Sequence, residues 1–262
     1  MIKVSSGREK YIIKVEQFPD GSLNMKNLPY SINTILWNYE NDAELFTIIC
    51  LRKHYCGEDW LQLRMPYVPH ARVDRVKNVT ENFSLKHFCD TINWLNFNEV
   101  WICDPHSNVT PALLNRVYVQ DNSFLINYAK NNIGSNDLIA FYPDEGAMKR
   151  YSDRADLPYA FGIKKRNWED GKILGLDIFN KEEVAGKDIL IIDDICSRGG
   201  TFFHSAKALK EAGAKDIYLC ITHCEDTMTS GEMYHSNLIK HIYTTDSIFT
   251  QPANSKITKI EV

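Results

Sequence analysis

The chain has 262 residues, 44% of them hydrophobic and 24% charged, a balance that excludes a disordered or fibrous protein. Lys and Arg total 30 against 34 for Asp and Glu, and the resulting formal charge of −4 argues against a basic nucleic-acid-binding surface. The opening Met1-Ile2-Lys3-Val4-Ser5-Ser6-Gly7-Arg8 lacks the apolar stretch of a signal peptide and no run is long enough to span a bilayer, so a cytoplasmic protein with no membrane partner is expected.

The length accommodates two modest domains, each with its own core. The 7 cysteines (Cys50, Cys56, Cys89, Cys103, Cys196, Cys220, Cys224) are widely spread and contain no Cys-x-x-Cys pair, so they read as reduced and mostly buried, with neither a disulfide framework nor a zinc knuckle.

In chain order, Phe46 to Leu51 reads as a strand, Ser84 to Leu95 as a helix, and Val100 to Cys103 as a strand ending in Asp104-Pro105-His106. Together they imply a βαβ unit. Leu138 to Phe141 is a further strand, ending in Tyr142-Pro143-Asp144-Glu145-Gly146. Ile189 to Ile192 is wholly apolar, as suits a strand buried on both faces of a parallel sheet. A polar loop, Asp193 to Thr201, follows it. Phe202, Ala206, Leu209 and Ala212 then recur at helical spacing up to Gly213, and Ile217 to Ile221 forms the returning strand. The right-handed crossover rule makes this second βαβ unit part of a parallel sheet. The two α/β halves meet near residues 115 to 125, giving expected domains of 1–118 and 119–262, with the C-terminal tail allowed to pack back on the first.

Several strands thus end in acidic or His-bearing loops, where open α/β sheets bind ligands. The richest is Asp193 to Thr201, which combines two carboxylates, two glycines and a hydroxyl between a strand and a helix. Glycines let backbone N–H groups approach a phosphate, the helix N-terminus favours negative charge, and the adjacent acids offer acceptors to a sugar diol. A tight strand-to-helix turn with solvated acids is the plainer alternative. No P-loop is present, since Gly171-Lys172 is followed by Ile173 and Gly186-Lys187 by Asp188, and no Gly-x-Gly-x-x-Gly occurs. His223 and Cys224 read as structural, because Cys220 and Cys224 lie in or beside a buried strand.

Ile191-Ile192-Asp193-Asp194 leading to Gly199-Gly200-Thr201 resembles the ribose-phosphate loop of type I phosphoribosyltransferases and ribose-phosphate pyrophosphokinases. Further segments, in order, resemble the pyrophosphokinase (PRPP synthetase) family in particular. Phe18-Pro19-Asp20-Gly21 is similar to its adenine-contacting loop, and Met65-Pro66-Tyr67 through Ala71-Arg72-Val73-Asp74-Arg75 to its ATP-binding stretch. Asp104-Pro105-His106 is similar to its metal loop, Pro143-Asp144-Glu145-Gly146-Ala147 to its Pro-Asp-x-Gly-Gly segment, and Lys164-Lys165-Arg166 stands where the family carries a Lys-Arg-Arg catalytic loop. The resemblance runs from about residue 14 to about residue 250.

The resemblance implies two type I phosphoribosyltransferase-like halves, each a mainly parallel sheet flanked by helices. It also implies magnesium-dependent transfer of the β,γ-diphosphate of ATP to the anomeric hydroxyl of a ribose phosphate, with release of AMP. It assigns Phe18, Asp20, Arg72, Asp74, Arg75 and His106 to ATP, and His106 and Asp144 to metal. Asp193, Asp194, Ser197, Arg198, Gly199, Gly200 and Thr201 fall to the ribose phosphate, and Lys164 and Arg166 to catalysis on a loop expected to order over the substrate. Because Phe18 and Asp20 serve a neighbouring subunit in that family, a homo-oligomer is implied, dimer-based and as large as a hexamer.

The chain departs from the family pattern in being shorter, in Ser22, in Val73, and most of all in the phosphate loop. There the usual Asp-Thr-Gly-Gly-Thr is Ser197-Arg198-Gly199-Gly200-Thr201, a change of about two charge units. A 5′-extended acceptor such as ADP-ribose, associated with some phage-type relatives, therefore stands beside ribose 5-phosphate. For a phage-encoded chain the cytoplasm is the host's. Two readings compete: a phosphoribosyltransferase that consumes the diphosphorylated sugar, and a catalytically silent regulatory subunit.

Overall fold

The computed structural model describes residues 1–166 and 173–262, and for 164–166 and 173–175 it describes the backbone alone. The chain divides into two units, 1–120 and 121–262, each with its own sheet and core.

The first unit contains β1 (Ile2–Ser6), β2 (Glu9–Ile12), β3 (Val15–Gln17), β4 (Leu23–Met25), β5 (Thr34–Trp37), α1 (Ala43–His54), β6 (Gln62–Met65), α2 (Ser84–Leu95), β7 (Glu99–Cys103), α3 (Val109–Leu113) and β8 (Val117–Gln120). Its six-stranded sheet has the order β2-β1-β5-β6-β7-β8, with β5 to β8 parallel and β1 antiparallel to both its neighbours. The β3–β4 pair is a separate hairpin.

One expected strand is a helix. Phe46 to Leu51 belongs to α1, in which Thr47, Ile48 and Leu51 are buried on one face while Phe46 is 57% exposed. A six-residue β-branched run does not distinguish a strand from one side of a buried helix, and packing over the sheet decides it. The strand that α1 follows is β5, whose Ile35 and Trp37 alternate inward. The βαβ unit around α2 therefore exists, with β6 as its first strand.

The second unit contains α4 (Ser123–Ile133), β9 (Leu138–Tyr142), α5 (Glu145–Ala155), β10 (Tyr159–Arg166), β11 (Ile173–Phe179), β12 (Asp188–Cys196), α6 (Gly200–Glu211), β13 (Ile217–Cys224), α7 (Glu232–His235), β14 (His241–Thr245) and β15 (Ile257–Ile260). The seven-stranded order is β11-β10-β9-β12-β13-β14-β15, parallel except for the β10–β11 hairpin. The C-terminal residues are the edge strand of this sheet, so the tail pairs here.

Both faces of this sheet are covered. On β12, Ile189 and Ile191 pack with Phe202, Ala206 and Leu209 of α6, whereas Leu190 and Ile192 pack with Leu125, Ile126 and Tyr151 from α4 and α5. That is the two-residue period of a strand buried on both sides, and it explains a run with no polar residue. Among the described residues no helix is long and apolar enough to cross a membrane.

Candidate active site

In the second sheet the chain runs outward from β9 to β10 on one side and from β12 to β13 and β14 on the other. The crevice at the carboxyl ends of β9 and β12 is therefore the topological switch point of the sheet, where an open α/β fold leaves room for a ligand. β9 leads into Asp144 there, and β12 delivers Asp193 and Asp194. The polar stretch after Ile192, expected as a loop, is half strand. Pairing with the long β13 continues through Asp193↔Ile221 and Cys196↔Cys224, and leaves only Ser197 to Gly199 as the turn.

Asp144 caps α5, its Oδ1 accepting from Ala147 N–H at 3.1 Å. Strand alternation turns Asp194 toward the α5 side, and Arg150 Nη1 of that helix lies 3.4 Å from Asp194 Oδ1. Among the described residues Asp193 receives no such guanidinium contact. Burial, then the neighbouring Asp194 charge and, more weakly, Asp144 push its carboxyl well above the usual range. The acid pair is thus asymmetric, with charge compensation on one member and a retained proton favoured on the other.

Ser197 to Gly199 turns the chain into α6, whose first residues are Gly200 and Thr201. Gly199 has a φ of +77°, and a Cβ placed there would lie 2.7 Å from Met233 Cε. The left-handed backbone favours glycine, and any side chain there would press on Met233, whose Cβ would lie 3.0 Å away. The side chain of Arg198 is exposed. Ser197 Oγ donates to Glu225 Oε2 at 2.7 Å, and Thr227 Oγ1 donates to the same oxygen at 3.2 Å.

In the first unit, the loops that follow the adjacent parallel strands β6 and β7 carry Arg72, Asp74, Arg75 and His106. Asp74 is 7% exposed and grips Arg75 through Nε–Oδ1 at 2.8 Å and Nη2–Oδ2 at 3.3 Å. The Arg75 hydrogen bond chiefly, then one from Ser107 and the nearby His106, hold the Asp74 carboxyl below the usual range. Adjacent strands thereby bring Asp74, Arg75, Ser107 and His106 together. The loop that carries His106 begins at Asp104, whose φ of +38° is a left-handed turn that Asp tolerates better than most residues, and whose N–H donates to Gln120 O at 2.9 Å. His70 Nε2 lies 3.0 Å from Asp42 Oδ1 and ties the β6 loop to the start of α1.

Phe18 and Asp20 stand at the tip of the β3–β4 hairpin, closed by Phe18 N–H to Ser22 O at 2.9 Å and Gly21 N–H to Phe18 O at 2.8 Å. Phe18 is 54% exposed, so it is not a core aromatic. Asp20 Oδ1 accepts from Ser22 N–H at 2.9 Å and Ser22 Oγ–H at 2.6 Å, and these donors lower its pKa. Ser22 therefore shapes the turn.

Lys164 and Arg166 lie on the backbone of β10, paired with Leu176 and Ile173 of β11, and their side chains are outside the described residues. The loop expected to order over the substrate, 167–172, is also outside them. Among the described residues no three His, Cys, Asp or Glu side chains form a ready metal cage. Arg150, Ser107 and Glu225 are not legible as site residues in the sequence, because Ser107 and Glu225 meet their partners only through strand adjacency and Arg150 only through the packing of α5 over β12. The one available signal is that Cys196-Ser197 and Cys224-Glu225 are matching ends of two parallel strands.

Residues 147–253 match the family model described as phosphoribosyl transferase domain. The chain is 29% identical over 260 residues to the ribose-phosphate pyrophosphokinase of Bacillus caldolyticus, covering 94% of this chain and 80% of that relative. It is 28% identical over 223 residues to that of Pyrococcus abyssi, covering 80% and 75% respectively. Its fold is similar to that of phosphoribosylpyrophosphate synthetase from Mycobacterium smegmatis, with a TM-score of 0.79 over 95% of this chain and 86% of that one at 17% identity.

Proposed function

From the premise that this chain belongs to the ribose-phosphate pyrophosphokinase family, we propose that it transfers the β,γ-diphosphate of ATP to the anomeric hydroxyl of a ribose phosphate and releases AMP. The observation that carries this reading is that the acid pair and glycine turn of the second unit are accompanied, in the first unit, by the Arg72, Asp74, Arg75 and His106 loops after adjacent parallel strands. The Ser197–Thr201 turn takes the phosphate through backbone N–H groups at the start of α6, and Asp193 and Asp194 take the ribose hydroxyls.

ATP belongs to the first unit. Arg72 meets its phosphates, while Phe18 and Asp20 contact adenine from a neighbouring subunit, a role to which the exposed hairpin tip is suited. Asp74 is buried and pairs with the exposed Arg75 beside it, and both stand with Arg72 on the loop assigned to ATP. No phosphoenzyme is required. Catalysis is positioning and charge neutralisation, with the attacking hydroxyl, β-phosphorus and leaving oxygen in line.

Magnesium suits this chemistry because it keeps most of its shell for water and phosphate oxygens and asks for few protein ligands. Asp144, at the strand end beside the acid pair, fits as a hard oxygen donor, and His106 is the less usual partner proposed on the ATP side. When bound, the ion offsets charge building on the transferred phosphates. Lys164 and Arg166 are the cations assigned to the transferred phosphates, so Lys164→Ala is expected to lower kcat by about 100-fold or more with ATP affinity changed far less. Equal losses in both would remove the catalytic role.

Two acceptors fit. Ribose 5-phosphate is the family's own, and exposed Arg198 gives a 5′-extended ribose phosphate such as ADP-ribose a cation for its second phosphoryl group. The deciding assay supplies ATP and magnesium with each acceptor separately and quantifies AMP and the diphosphorylated sugar by mass. Arg198→Thr should shift preference toward ribose 5-phosphate, and an unchanged ratio would exclude that use of Arg198. The matched phosphoribosyl transferase domain, residues 147–253, lies within the second unit, so a transferase that consumes the diphosphorylated sugar is the second reading. AMP formation from ATP separates the two.

A further inference from the structure

The turn that begins at Ser197 is gripped from one side by the segment after β13. Register sets this up, since Cys196 pairs with Cys224, Glu225 N–H donates to Cys196 O at 2.8 Å, and Glu225 therefore emerges directly beside Ser197. Ser197 Oγ donates to Glu225 Oε2 at 2.7 Å, Thr227 Oγ1 donates to that oxygen at 3.2 Å, and the two hydroxyls are 3.4 Å apart. Farther along, Gly231 lies so close to the turn that a Cβ there would fall 2.0 Å from Arg198 O. Asp226 Oδ1 accepts from Thr250 N–H at 2.8 Å and anchors the gripping segment to the loop beyond β14.

This arrangement has an electrostatic consequence. A serine hydroxyl has one proton, and here it is committed to Glu225, so Ser197 offers a ligand lone pairs rather than a donor. The carboxylate stands one side chain away from the turn proposed to hold the phosphate. A phosphate monoester near neutral pH carries about −1.5 to −2 charges, whereas a phosphoryl group esterified on both sides carries about −1. The same carboxylate repels the first more than the second.

We propose that Glu225 is a specificity-determining residue that, through Ser197, weights the phosphate turn against doubly charged monoesters and toward acceptors whose 5′-phosphoryl group bears a second ester or anhydride link and a single charge. The inference rests on the acceptor binding at the Ser197–Thr201 turn. Glu225→Gln keeps an oxygen to accept from Ser197 while removing the charge.

The first test needs no turnover. In an NMR titration of the Gly199 and Gly200 amides, inorganic phosphate should bind Glu225→Gln about three- to tenfold more tightly than the native chain, and dimethyl phosphate by less than twofold. Equal changes for the two probes, or none, overturn the proposal whatever the enzyme's activity. The second test compares kcat/KM for ribose 5-phosphate and ADP-ribose. The variant should gain severalfold in the ratio favouring ribose 5-phosphate, with KM for ATP unchanged. A drop in KM for ATP, or parallel changes for the two acceptors, would assign Glu225 a merely structural role. If the native protein releases AMP with neither acceptor, the pyrophosphokinase reading fails, while the anion titration still decides the role of Glu225.

Discussion

Asp193 and Asp194 are neighbours in sequence with different surroundings, because consecutive residues of a strand face opposite ways and only Asp194 meets the Arg150 guanidinium. The raised pKa of Asp193 means that, as pH climbs from the ordinary carboxylate range toward the raised value, the unfolded chain ionises first. Stability falls through that window and the full penalty is present above it. Asp193→Asn is therefore expected to raise Tm at pH 8 by roughly 2–6 °C, with little effect at pH 4, while abolishing most acceptor turnover. Calorimetric melting at the two pH values checks the sign, and a larger gain at pH 4 would refute the buried-charge account. Arg150→Met removes the guanidinium beside Asp194 and should raise acceptor KM, with partial rescue by Arg150→Lys. The type and order of these acids were legible in the sequence. Their inequality was not, since it depends on α5 lying over one face of β12.

At the scale of elements, the strand-turn-helix around Gly199 and the strand that returns from it were readable because apolar runs, glycines and helical spacing all agree. Two readings went astray for the same reason, that a short window contains no information about what it will pack against. Phe46 to Leu51 is one side of α1, and Asp193 to Cys196 is drawn into the sheet by β13. The turn itself makes a sharp prediction. Gly199→Ala introduces strain at a φ of +77° and a contact with Met233, so Tm should fall and acceptor KM rise several-fold, with ATP affinity nearly intact. Adding Met233→Ala removes the 2.7 Å contact with Met233 Cε but keeps Met233 Cβ at 3.0 Å and the backbone strain, so the double variant should recover only part of the loss. Full recovery would show that space alone demands glycine there.

At the scale of the molecule, the exposed Phe18 hairpin leads to a test of assembly. If it completes the ATP site of a neighbouring subunit, a Phe18→Ala/Asp20→Ala chain and a Lys164→Ala chain, each nearly inactive, should complement when co-expressed. Random pairing restores about a quarter of the sites. No recovery, in an assembly shown by sequential capture on two different affinity tags to contain both chains, would place the hairpin in its own subunit's site.

Local chemistry already decides that this is an α/β chain with a phosphate-type turn after an apolar strand. Residue spacing reports which groups are consecutive, and glycine, proline and apolar periodicity are properties of a few neighbours at a time. Strand order is not such a property. That β9 lies beside β12 creates the switch point, that α5 covers one face of β12 gives Asp194 its arginine, and that Cys196 registers with Cys224 sets Glu225 against Ser197. Each of these joins residues 28 or more positions apart or on different elements, and only the packing of whole sheets and helices chooses among the partners that their chemistry allows.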